Sequence, residues 1–210
     1  MIAAFLLAAA SLPTAIDAER AFAADAQRIG QWSAFRKHAD PDAVMFTPQA
    51  VWARDFLKDR KDPPKSVRWR PSASFVSCDG RTAINTGPAF RPNGEAYGFF
   101  NTVWQRTGRE WRWVYDAGSG LDNQATALAK PKVRRASCNG RATGAPISPP
   151  PPLSNSQART TPQDNGRGQS ADRTLGWDWV VAKNGDLRFR AFLWNGDHYE
   201  QVMYRLTTAS

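Results

Sequence analysis

From about Thr14 to Ala39 the apolar positions recur at steps of three and four. Ala18, Phe22, Asp25/Ala26, Ile29, Trp32, Phe35 and Ala39 fall on one stripe. That period predicts an amphipathic helix. Thr14, with Asp17 three residues on, supplies an N-cap after Pro13, and Gly30 is a point where the helix can bend. Asp40-Pro41-Asp42 ends it. The period then shortens. Ala43–Thr47 reads as a buried strand, Ala50–Arg60 as a second, shorter helix, and Val67–Cys78 as a long strand bent at Pro71. Asp79-Gly80 is a hairpin signal, and Thr82–Phe90 is the returning strand.

The strongest two-residue alternation lies in Tyr97–Gly118, where two aromatic and β-branched runs flank Thr107-Gly108-Arg109-Glu110. A regular ladder around that turn sets Trp104 opposite Trp113, Thr102 opposite Tyr115 and Asn101 opposite Asp116. One face then carries Phe100, Thr102, Trp104, Trp111, Trp113 and Tyr115. Phe99, Asn101, Val103, Arg112, Val114 and Asp116 occupy the other, where Asp116 reads as a surface or dimer-contact carboxylate. So much aromatic surface requires a cover, and a helix is the expected one.

Beyond Gly118 the pattern fades. Ser119–Asp172 is rich in Ser, Gln, Asn, Gly and Thr, includes Pro149–Pro152, and reads as a disordered linker. Order returns over Leu175–Leu206 as a three-stranded meander with turns at Asn184-Gly185 and Asn195-Gly196. Two-residue loops there give a core face of Val180, Ala182, Leu187, Phe189, Ala191, Leu193, Val202 and Tyr204. Trp177, Trp179, Arg188 and Arg190 fall on the opposite face. The expected division is a leader over 1–15, an α+β domain over 16–120, a basic linker over 121–172 and a β-meander over 173–210.

Charge and cysteines refine this reading. The formal charge of +9 invites a nucleic-acid role, but the basic residues of Arg54–Arg70 are interleaved with acids. The block from Lys130 to Arg141 lies in the expected linker, so no nucleic-acid partner is expected. Nine tryptophans favour aromatic sheets or a pocket over a helical bundle. Ile2–Leu12 has the length of a signal-peptide core and is too short to span a bilayer. Export to the periplasm or medium is therefore expected, with cleavage between Ala10 and Ala18 and no transmembrane segment in the mature chain. Cys78 and Cys138 sit in echoing Ser-Cys-Asp/Asn-Gly-Arg contexts and are expected to pair, closing a loop of about 60 residues. Two cysteines and the distant His38 and His198 show no metal-ligand spacing, and nothing points to a cofactor.

Two stretches resemble a known family. Ala18–Phe46 (AERAFAADAQRIGQWSAFRKHADPDAVMF) and Asn101–Gly118 (NTVWQRTGREWRWVYDAG) are similar to the opening helix and closing hairpin of the nuclear transport factor 2-like superfamily, SnoaL-like branch. The likeness spans about residues 17–120 and implies a curved antiparallel sheet wrapped on a long N-terminal helix, with a pocket on its concave face. The resemblance then implies that Trp32, Asn85, Thr102, Trp104, Trp113 and Tyr115 line the pocket. The expected function is a non-catalytic module that binds a small apolar or aromatic ligand or forms a homodimer. One alternative is an isomerase, dehydratase or hydrolase using Asp25 as acid/base with Tyr115. His38, near the helix end, suits the helix dipole better than catalysis. The other alternative is an envelope-adhesive module using the basic linker and the Trp/Arg meander face.

Overall fold

The computed structural model describes residues 12–119, 130–140, 142 and 164–208. The leader up to Ser11 and Pro149–Pro152 lie outside the described residues. Helix α1 (Ala15–Ile29) starts on a capping box: Asp17 N–H donates to Thr14 Oγ1 at 3.2 Å and Thr14 N–H donates to the Asp17 carboxylate at 2.9 Å. Gly30, at φ 103°, breaks the helix, and α2 (Gln31–His38) begins directly after it. Asp62 holds that corner, accepting from Ser33 N–H at 2.9 Å and Ser33 Oγ–H at 2.6 Å. The single long helix is thus two, split where the sequence allowed a bend.

The first sheet contains β1 (Ala39–Phe46), β2 (Ala50–Trp52), β3 (Arg68–Trp69), β4 (Ala73–Val76), β5 (Thr82–Phe90), β6 (Ala96–Thr107), β7 (Glu110–Ser119) and β8 (Lys132–Arg135). Its order is β2-β1-β7-β6-β5-β4-β8, with β3 also on β5. The sheet is curved and does not close. The span read as a second helix opens as strand β2, leaving only α3 (Ala53–Leu57) helical. Strand β8 falls within the expected linker and pairs parallel to β4. The helices cover the concave face, where Phe22, Ala26 and Phe35 meet Trp69, Trp104 and Trp113.

The hairpin ladder departs from regularity at one place. Trp104 faces Trp113 and Arg106 faces Trp111, but beyond a bulge between Val103 and Trp104, Val103 faces Tyr115 and Thr102 faces Asp116. Val114 is the extra residue. The bulge corrects the expected faces: Tyr115 turns outward and Asp116 inward, while the indoles stay inside. The gain on the outer face is aromatic. Tyr115 packs at ring-centroid distances of 4.7 Å from Phe189, 5.2 Å from Phe46 and 5.6 Å from Trp179.

Those partners belong in part to a second sheet, ordered β12-β11-β10-β9, from β9 (Asn165–Gln169), β10 (Leu175–Val181), β11 (Leu187–Trp194) and β12 (Tyr199–Thr207). The expected three-stranded meander has gained β9 from the span read as linker. The faces of β10 are also reversed, whereas Leu187, Phe189, Ala191 and Leu193 of β11 lie on the core side as expected. Trp179 pairs with Phe189 and Asp178 with Arg190, because the turn at Lys183–Gly185 is one residue longer than a two-residue loop. Trp177 and Trp179 therefore point into the layer between the sheets, with Leu175, Val181 and Phe189. With these rings buried, the exposed tryptophan ladder needed for an adhesive face is not there.

Gly166 and Gly168 explain the seating of those rings. A Cβ on Gly168 would lie 2.2 Å from Trp177 Cζ2, and one on Gly166 would lie 2.1 Å from Trp179 Cζ2. The edge strand gives up side chains so that two indoles can lie across it. Gly168→Ala is expected to cost about 1–3 kcal/mol by overpacking, read as a lower denaturant midpoint. An unchanged midpoint would show that the indoles can move aside.

Candidate functional site on the concave face

The apolar stripe of α1 runs Ala15, Glu19, Phe22, Ala26, all buried, and Glu19 is an acid on that stripe. Its surroundings fix its role. Trp69 Nε1–H donates to Oε1 at 2.8 Å, Trp104 Nε1–H to Oε2 at 2.6 Å, and Asn85 Nδ2 to Oε2 at 3.3 Å. Asn85 Nδ2 also donates to the Ala15 carbonyl at 2.8 Å. Three donors favour the carboxylate, while complete burial favours the neutral acid. Burial wins, and Glu19 is pushed up to about 8.

Asp116, brought inward by the bulge, accepts from Thr102 Oγ1–H at 2.7 Å. The residue keeps some exposed surface, yet dense packing around its carboxyl raises it to about 7. Its negative charge also contributes to the rise at Glu19. Two acids with affinities near neutrality thus share one concave face. Beside them Asn85 Oδ1 and Trp113 Nε1 are buried and have no hydrogen-bond partner among the described residues. Sequence reading passed over Glu19, although its spacing of four and three to Ala15 and Phe22 marks it as a lone acid among core positions.

The other expected residues separate. Asn85, Thr102, Trp104 and Trp113 come together on the inner face, but all four are sealed. Trp32 sits to one side between α2 and α3, its ring 5.4 Å from Phe35 and 6.1 Å from Phe56, with the Arg60 guanidinium 5.0 Å away. Asp25 does not meet Tyr115, which lies beyond the sheet. Its Oδ2 instead accepts from Lys37 Nζ at 2.6 Å and lies 2.9 Å from His38 Nε2, and Arg28 pairs with Oδ1. Lys37 first, then His38 and Arg28, hold this carboxyl well below the usual range. An acid/base residue working with Tyr115 was the alternative expected here, and a carboxylate bound by side-chain nitrogens of Arg28, Lys37 and His38 is found. Burial lowers His38, against the Asp25 carboxylate, which acts to raise it.

An open cavity of about 300 Å3 lies at one edge of the same concave face. Strands β4 and β8 supply a wall of Ser74, Val76, Val133 and Arg135, brought level by the pairs Ser74–Val133 and Val76–Arg135. The facing wall is Arg106 and Trp111 from the hairpin end. The start of α1 forms the floor, where Ala15 is the residue whose carbonyl Asn85 holds. Beneath that floor lies the Glu19 centre. The wall is anchored by the expected disulfide, Cys78–Cys138, with Cα atoms 5.2 Å apart.

The fold and site together define an α+β protein whose curved sheet encloses an indole-bound acid and opens at one edge into a small cavity. No family model and no curated protein matches the chain. Solved structures do. The CamKII hub homology domain of Chlamydomonas reinhardtii aligns at 18% identity and TM-score 0.37, over 50% of this chain and 94% of that one. A protein from Novosphingobium aromaticivorans named as an aromatic ring hydroxylase aligns at 16% and 0.36, over 50% and 85%. A Mycobacterium tuberculosis protein of unknown function aligns at 13% and 0.36, over 53% and 80%. What this chain does has to be read from its own residues.

Proposed function

We propose that this is an exported, non-catalytic member of the nuclear transport factor 2-like class that binds a small ligand in the cavity at the edge of its concave face. The cavity carries the reading: about 300 Å3 of largely apolar space is the lower end of the size that holds a small molecule. The acids behind it lend no support to catalysis, because Glu19 is fully enclosed and its oxygens are engaged by indoles and an amide. Two tryptophans and Asn85 bind helix to sheet through that carboxyl, which is the work of a strut. Homodimerisation through the outer sheet face is disfavoured, because the second sheet already buries that apolar surface. Export is supported by the disulfide. Among the described residues no helix is long and apolar enough to cross a membrane.

The test is chemical-shift mapping with 1-octanol. Selective, saturable shifts at Val76, Val133 and Trp111 are expected, and Val133→Trp, at an exposed position, should abolish them by filling the space. Uniform shifts or none would sink the reading. Export is checked by mass: the chain isolated from its native envelope should have lost residues only up to about Ser11, because Leu12–Ile16 line the cavity, and should have retained the disulfide.

A second reading has one observation in its favour. Asp25 Oδ2 lies 2.9 Å from His38 Nε2, and a neutral ring that donates there carries its lone pair on Nδ1, the atom that would take a proton as a general base. On this reading Asp25 orients and His38 reacts. Turnover of any substrate that rises through the His38 titration and vanishes in His38→Ala would establish it; Asp25→Asn should then reduce the rate without abolishing it.

A further inference from the structure

We infer that the cavity selects a small anionic amphiphile: an apolar body carrying one carboxylate or sulfonate, held between Arg106 and Arg135. This inference rests on the ligand-binding reading above and adds the charge of the ligand. Both arginines line the cavity, one on each wall. Each is held in place by a contact that leaves its charge uncancelled. Arg106 Nη1 donates to the Gly108 carbonyl at 3.0 Å, and its guanidinium lies 5.7 Å from the Trp111 ring centroid. Arg135 Nη1 donates to the Cys78 carbonyl at 3.1 Å and reaches that of Ser77 at 3.4 Å. Gly80, at φ 67°, leaves room for it: a Cβ there would stand 3.0 Å from Arg135 Nη1.

Among the described residues neither arginine forms an ion pair with a carboxylate. The adjacent Arg134 is different, pairing with Glu200 on the second sheet. One acid, Asp79, reaches the cavity, and its Oδ1 is occupied by Ser77 Oγ–H at 2.6 Å and Arg81 N–H at 2.9 Å. The balance at the rim is thus two cations against one hydrogen-bonded anion, over walls of Val76, Val133, Ile16 and Trp111. A neutral apolar molecule would fill the walls and leave two guanidinium groups facing its tail. An anion satisfies their remaining N–H donors, and the fork of arginine suits a carboxylate.

The experiment compares octanoate with 1-octanol, which share a chain and differ in charge, by calorimetry at pH 7. Wild-type protein is expected to bind octanoate about tenfold more tightly than octanol, with an affinity that falls as salt is raised. Arg106→Gln and Arg135→Gln should each remove most of that preference, by weakening octanoate binding far more than octanol binding. Asp79→Asn should strengthen octanoate binding. If octanol binds and octanoate binds no better, or the preference survives both arginine changes, the anion inference falls and the cavity reading stands. If neither molecule binds, both fall. Because Arg135 also holds a turn, its variant is compared with wild type by circular dichroism, and Arg106→Gln alone decides if Arg135→Gln is misfolded.

Discussion

Glu19→Ala is expected to lower stability by about 3–6 kcal/mol, among the largest effects of any single change in this chain. The variant strips the acceptor from two buried indole N–H groups and one amide, each costing about 1–3 kcal/mol when left unpaired, and it opens a void. Glu19→Gln should be milder, since glutamine keeps one acceptor oxygen and the volume, and it exposes the pH dependence. The folded acid titrates at about 8, against an ordinary 4.5. A raised acid means that the folded state keeps a proton the unfolded state has released. Stability is therefore full below about pH 4.5 and falls as pH climbs toward 8, by up to about 1.4 kcal/mol per pH unit. Asp116 acts with the same sign, from 3.8 to about 7. Asp25 has the opposite sign, its stabilisation present above 3.8 and lost as pH falls below it. Wild-type protein should thus resist urea better at pH 5 than at pH 8, and Glu19→Gln should narrow that gap. Equal wild-type midpoints across the range would show that Glu19 is ionised in the fold.

Removing the disulfide by Cys78→Ser with Cys138→Ser should cost about 4 kcal/mol in the chain-entropy account, since the bond spans 60 residues. The loss should have a location as well as a size. Strand β8 has four exposed residues, and beyond its pairing with β4 the Ala136 N–H donates to the Val76 carbonyl. Faster amide exchange at Val133–Ala136 than at Ile84 is expected in the reduced form, together with weaker octanol binding, because β8 is one wall of the cavity. A uniform loss of protection would mean that the bond supports the whole fold equally. A change under about 1 kcal/mol would mean that the unfolded chain is already compact around the two cysteines.

Local chemistry determined much of this protein in advance. The capping box at Thr14, the break available at Gly30, the strand Thr82–Phe90, the pairing of Trp104 with Trp113 and the approach of Cys78 to Cys138 all follow from residues close in sequence or from compartment logic. Each depends on a turn, a cap or a period that a few neighbouring side chains decide. The departures depended on partners far along the chain. Tyr115 turns outward because Phe189 and Trp179, more than 60 residues on, offer it a packed aromatic layer; a two-residue period cannot register that offer, and one bulge suffices to flip Asp116 inward. Trp177 and Trp179 turn inward because β9, taken for linker, supplies two glycines beneath their rings. Glu19 was visible as an acid on an apolar stripe, yet its function as a strut needed Trp69 and Trp104, 50 and 85 residues away, to aim their N–H groups at it. Sequence periodicity settles which side chains share a face only along an unbroken ladder, whereas the second sheet and the curvature of the first decide where the ladder breaks, which face is inside and where a cavity is left.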